Sequence, residues 1–139
     1  MQLDGSYSEC STCAGPLLST ADECLVRGQN EWYLDTSCTY CGYDAYDHGT
    51  GTAPEPIRSM LLEQTGTWVV RTSGSAPGAA VMLALRKVFE AGLAEVRELA
   101  DRLNGGGLTG TRGESLCLQQ QLAALGLDAT VEPEPPAPR

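Results

Sequence analysis

Histidine is almost missing from this chain of 139 residues, where His48 is the only one. A single imidazole builds neither a histidine-based catalytic pair nor a histidine-rich metal cluster, so both are excluded. Positive charge is scarce too, with nine lysines and arginines against eighteen carboxylates and a net charge of −9. A nucleic-acid binder needs the opposite balance, because neutralising phosphates supplies most of its affinity. No apolar run approaches the roughly 18 residues that span a bilayer. The opening Met1-Gln2-Leu3-Asp4 lacks the basic start and apolar stretch of a secretory leader. The expectation is a soluble, cytoplasmic protein with no membrane contact. No phosphate-cradling loop and no nucleophile beside a base is visible, so the chain is expected not to be an enzyme and to have no small-molecule substrate.

Against these absences stand six cysteines. In a reducing compartment they favour metal over disulfides. Cys10-Ser11-Thr12-Cys13 and Cys38-Thr39-Tyr40-Cys41 are two C-x2-C pairs separated by 24 residues, with Gly15 and Gly42 close behind. Each such turn directs two sulfurs at one ion, and four thiolates suit tetrahedral, structural Zn²⁺. The ion would replace a core that so short a segment lacks, since structural zinc contributes about 10–16 kcal/mol in small peptides. The β-prone run Glu31–Thr36 leads into the second pair, with Leu25-Val26-Arg27 as its partner strand and residues 28–30 as the turn. On these features residues 10–42 resemble the zinc-ribbon family. Cys24 is expected to be a reduced thiol packed inside the ribbon, and His48 an exposed loop residue.

Charge is unevenly placed. Residues 1–56 hold nine carboxylates and one base, Arg27, while residues 57–139 are nearly balanced. Zinc ribbons often bind nucleic acid, but an acidic one should repel phosphate. Trp32, Tyr33, Tyr40, Tyr43 and Tyr46 are therefore read as packing and protein-contact residues, with a nucleic-acid-binding regulatory ribbon as the alternative.

Behind the module at 1–47, residues 48–66 read as a loop and a short docking helix over 57–64. Residues 67–132 then carry β-prone Trp68–Arg71, a helix with Val81, Leu85 and Val88 on one face, and a break at Ala91-Gly92. Pro77 fits the first turn of that helix. A second helix carries Leu93, Val96, Leu99 and Leu103. Leu108–Gly110 is a candidate strand, and Thr111-x-x-Glu114 a capping box for a third helix with Leu118, Leu122 and Leu125. Leu127–Glu132 is the last strand. The order β-α-α-β-α-β implies an α+β two-layer sandwich. Cys117 is a helix-surface or core-edge thiol. The tail 133–139, rich in proline, is expected to be disordered and unable to extend a sheet.

Ala80-Val81-Met82-Leu83-Ala84-Leu85-Arg86, followed by Gly92-Leu93-Ala94-Glu95-Val96-Arg97-Glu98-Leu99-Ala100, gives residues 67–132 a resemblance to the C-terminal domain of the bacterial large-subunit ribosomal stalk protein. That resemblance implies a non-enzymatic protein-binding adaptor. In the stalk family, basic residues on these two helices recruit translational GTPases. Arg86 and Arg97 match such positions, whereas Leu83 and Ala94 stand where the family has lysine. The implied contact face is Leu83, Arg86, Lys87 and Arg97. A translation-linked adaptor, or an inhibitor or immunity protein for a basic partner, is what this architecture leads one to expect.

Overall fold

The computed structural model describes residues 7–73 and 78–135. Strands β1 (Tyr7–Glu9), β2 (Pro16–Val26), β3 (Gln29–Cys38) and β4 (Asp44–Thr50) form one antiparallel sheet in that order. The central hairpin is tighter than the sequence reading, for Arg27-Gly28 alone make its turn while Val26 pairs with Gln29 and Leu25 with Asn30. Arg27 at φ 52° and Gly28 at φ 79° are both left-handed, the conformation that matches the twist of a two-residue hairpin. β4 also runs past the expected boundary at residue 47, so exposed His48 sits on a strand and not in a loop. Gly49 permits this, because a Cβ there would lie 2.5 Å from the Trp32 ring.

Helix α1 (Ile57–Thr65) lies on the inner face of this sheet, burying Ile57, Met60 and Leu61 with Ala21, Trp32 and Ala53. The rest of the chain contributes β5 (Trp68–Thr72), α2 (Gly78–Phe89), α3 (Leu93–Gly105), β6 (Leu108–Gly110), α4 (Arg112–Ala124) and β7 (Ala129–Pro133). Their antiparallel sheet has the order β6-β5-β7. The protein is thus a mixed α+β structure with two small antiparallel sheets and four helices among the described residues. No helix among those residues is long and apolar enough to cross a membrane.

Val70, Val81, Leu85, Val96, Leu103, Leu118 and Leu122 form the larger core, with Leu25 of β2 packed against it. Two leucines of the sequence stripes leave it. Leu93 opens α3 and is 57% exposed, while Leu125 is the C-cap of α4 and is 40% exposed. Both sit at helix ends, where the stripe no longer faces the sheet. Pro77 and residues 136–139 lie outside the described residues. Pro133, expected in a sheet-incompatible tail, is the last residue of β7 and pairs with Trp68, and the Glu134 N–H donates to the Thr67 carbonyl at 2.8 Å. β7 is an edge strand, where a missing N–H is tolerated.

The two sheets meet through a buried polar joint at the start of α4. Thr111 and Glu114 form the anticipated capping box. Glu23, pointing inward from β2, adds a second cap: it accepts the Gly113 N–H at 2.9 Å, the Thr111 hydroxyl at 2.7 Å and an Asn30 amide N–H at 3.0 Å. From α1, Arg58 donates to both oxygens of Glu114 at 2.8 and 2.9 Å. Gly113 is required by proximity, since a Cβ there would sit 2.3 Å from Asn30 Oδ1 and 2.6 Å from the Glu23 carboxyl carbon.

Candidate metal centre

Register places the cysteines. Leu17 pairs with Cys38 where β2 and β3 run out, so the turn before β2 and the turn after β3 lie side by side. The two turns are built alike. In one, the Cys10 N–H donates to Gly15 O at 2.8 Å and the Ala14 N–H to Cys10 O at 2.8 Å. In the other, the Cys38 N–H donates to Tyr43 O at 2.7 Å and the Gly42 N–H to Cys38 O at 3.1 Å. The left-handed residue of each is Ala14 (φ 60°) or Gly42 (φ 81°). Gly15 is set by close approach: a Cβ there would come within 3.0 Å of the Tyr40 ring and 3.2 Å of Cys13 Sγ.

The outcome is one cluster of Cys10, Cys13, Cys38 and Cys41, all four sulfurs within 4.8 Å of one another. Tetrahedral zinc with Zn–S bonds of about 2.3 Å needs sulfurs about 3.8 Å apart. Cys10 and Cys41 are separated by 3.7 Å, and Cys13 and Cys38 by 3.5 Å. The set fits a metal ion and is consistent with structural zinc. Backbone N–H groups of Thr12 and Gly15 lie 3.4 Å from the sulfurs of Cys10 and Cys13. These donors fix the sulfurs as second partners do in metal sites.

The thiols divide electrostatically. The N–H groups of Cys13 and Thr12 pull Cys10 down to about 6. The N–H groups of Cys41 and Tyr40 likewise lower Cys38, against the cost of burial. Cys13 has a favourable N–H from Gly15, but the neighbouring Cys38, burial, Cys41 and Cys10 outweigh it and push the thiol up to about 12. Cys41 is raised as well, the Tyr43 N–H being outweighed by burial and by Cys10 and Cys38. The protein alone thus supports ionisation of one cysteine from each pair. Ionising the whole set calls for a cation.

The other cysteines stand apart. Cys24 is exposed on β2 and outside the cluster, contrary to the expected packed thiol, because its register position opposite Glu31 belongs to the outer sheet face. Cys117 is buried at 4% exposure, and its thiol donates to the Gly28 carbonyl at 3.3 Å. Of the residues expected to meet a partner, Leu83, Arg86 and Lys87 are exposed on α2 and Arg97 is exposed on α3. Lys87 lines a cleft shared with the β2–β3 turn.

Sequence reasoning passed over the outer face of the first sheet. Pairing sets Tyr33 opposite Asp22 and His48, Asp35 opposite Tyr46, and Cys24 opposite Glu31. Tyr33 and Tyr46 stack at 6.0 Å, and Tyr46 and His48 lie 5.6 Å apart. Crowded negative charge acts on its neighbours: Asp44 holds the Asp35 carboxyl above its usual range, and a hydrogen bond to Glu31, with burial, pushes Tyr33 up to about 12. The alternation along β2–β4 was the available signal.

Comparison with protein families, curated proteins and solved structures finds no match to this chain. Its class therefore rests on geometry, which gives a mixed α+β protein carrying a four-cysteine cluster suited to a metal ion.

Proposed function

We propose that the chain is a non-enzymatic protein-binding module, its first sheet tied by one structural zinc on Cys10, Cys13, Cys38 and Cys41. When bound, the ion would supply folding free energy and no open coordination position, since four thiolates complete a tetrahedron. The observation that carries the binding role is the outer sheet face. Asp22, Glu31, Asp35 and Asp44 share it with Tyr33, Tyr46 and His48, and β2, β3 and β4 contain no lysine or arginine. Carboxylates beside aromatic rings suit guanidinium groups, through paired hydrogen bonds and ring–cation attraction. The reading is thus an adaptor or inhibitor for a basic protein.

The β-α-α-β-α-β order of the second unit supports its resemblance to the ribosomal stalk domain, and with it a translation-linked adaptor role that would use Leu83, Arg86, Lys87 and Arg97. The exposed tyrosines favour one other reading, a nucleic-acid-binding ribbon, but the carboxylates around them oppose phosphate. Proteins retained by the tagged, zinc-loaded chain at rising salt discriminate these readings. Basic proteins released steeply by salt, and lost from an Asp22→Asn/Asp35→Asn/Asp44→Asn variant, support the acidic face. Loss from Arg86→Glu/Arg97→Glu instead moves the site to the helices. RNA or DNA retained at moderate salt contradicts the protein-binding reading.

A further inference from the structure

A cleft of about 450 Å³ opens where the two sheets' units meet, lined by the β2–β3 turn, Gly51, the end of α2, and Cys117 and Gln121 of α4. Its volume falls within the range of small-molecule sites. The walls are fixed. Gly28 O accepts from Gln121 Nε2 at 3.0 Å and from the Cys117 thiol at 3.3 Å. Asn30 and Gly51 exchange bonds of 2.7 and 3.2 Å, the second through the Asn30 side chain.

Charge around this cleft is unlike that elsewhere. Arg27 is the only base in residues 1–56 and Lys87 the only lysine of the chain, and both line it in a protein of net charge −9. Glu90 lines it as well. Among the described residues none of these three enters an ion pair, so opposite charges share one rim without meeting. The backbone holds them there. Arg27 (φ 52°) and Glu90 (φ 51°) are two of only three non-glycine left-handed residues among those described. The first belongs to the two-residue turn and the second directly follows α2, where the Glu90 N–H donates to the Arg86 carbonyl at 3.0 Å, so both charged side chains start from fixed backbone. Gly51 is also left-handed at φ 94°, and a Cβ on it would lie 2.9 Å from a Glu90 carboxylate oxygen, so the acid rests directly over its backbone.

We propose that this cleft binds a small molecule carrying both an amine and carboxylate, the class of acidic amino acids. Arg27 and Lys87 receive the carboxylates, Glu90 receives the ammonium group, and the amides of Gln29 and Gln121 line the wall between them. The ligand touches the hairpin and both helices, so its binding also fastens the two units together. This site is separate from the acidic sheet face and shares only Lys87 with the helical face.

The test titrates the ¹⁵N-labelled, zinc-loaded full chain with L-glutamate, with succinate, which lacks the amine, and with putrescine, which lacks the carboxylates, each to about 10 mM. Expected are saturable amide shifts with L-glutamate confined to Gly28–Asn30, Gly51, Glu90 and Gln121. Succinate should bind roughly threefold to tenfold more weakly and putrescine more weakly still, the scale of one charged contact near the surface. Lys87→Ala should weaken L-glutamate by a similar factor. Glu90→Gln should erase the preference over succinate. Unshifted amides of β5 and α3 in each variant show that the fold is intact. No saturable shift with L-glutamate, equal binding of succinate by the native chain, or an unchanged titration in correctly folded Lys87→Ala overturns the proposal.

Discussion

The two ends of the four-stranded sheet are held by different chemistry. At the cysteine end the buried apolar cluster consists, among the described residues, of Cys10, Leu17 and Cys38. At the other end, α1 covers Ala21 and Trp32, Leu25 enters the larger core, and Glu23 and Asn30 reach the start of α4. Among the described residues one end has little to hold it but its thiols, whereas the other is packed and hydrogen-bonded without them. The proposed metal would supply at the cysteine end what a second packed layer supplies at the other.

The largest effect is expected at the cysteines. Cys38→Ser should cost the cluster most of its metal-derived stability, on the order of the 10 kcal/mol seen for structural zinc in small peptides. Hydrogen exchange should then show protection lost at Leu17–Ser19 and Thr36–Cys38, yet retained at Glu23, Asn30 and throughout α4. Uniform loss along β2 and β3 would mean that the ends are one cooperative unit.

A smaller effect is expected at the joint. Glu114 is 1% exposed, and Arg58 is its ion-pair partner. Arg58→Ala leaves that carboxylate buried without its cation and should cost about 3 kcal/mol, measured by urea unfolding. Gly113→Ala comes next. Alanine is intrinsically better than glycine inside a helix by about 0.5–1 kcal/mol, but here its Cβ would collide with Asn30 and Glu23. The variant should therefore lose stability, by about 1–3 kcal/mol as overpacked sites do. A gain would show that Glu23 and Asn30 yield freely.

The smallest change sharpens the picture at the cysteine end. Ala14 occupies the left-handed place that Gly42 fills in the matching turn. Ala14→Gly should raise stability by about 0.5–1 kcal/mol, the left-handed cost removed less glycine's greater chain entropy. Acidity gives an independent handle on the same site. The N–H groups of Cys13 and Thr12 hold the Cys10 thiol down to about 6. Above that pH its thiolate awaits the metal, and below it the incoming ion must also displace this proton. Calorimetry in buffers of different ionisation enthalpy should find more protons released per zinc at low pH than at neutral pH, with affinity falling as pH drops.

The four-cysteine cluster was legible in the sequence because a C-x2-C turn is a local object whose spacing alone directs its sulfurs. The element order of residues 67–132 was legible for a similar reason, resting on helical stripes, the glycine break and the Thr111–Glu114 box. What escaped depends on register. Trp32 and Glu23 face inward and Tyr33 and Cys24 outward, which follows only once the turn is set at Arg27-Gly28. A turn at residues 28–30 would have paired β2 and β3 differently. The joint was hidden because Glu23 reads as one more acid in an acidic segment, until the fold carries it to Gly113, 90 positions away. The cleft was hidden for the same reason, as Arg27, Glu90 and Gln121 share no local pattern.

The most direct test of the account is the metal content and sulfur coordination of the chain purified under reducing conditions. Elemental analysis with X-ray absorption at the zinc edge should find one zinc per chain, bound by four sulfurs at about 2.3 Å. Absence of zinc, or a shell that includes nitrogen from His48, would contradict it.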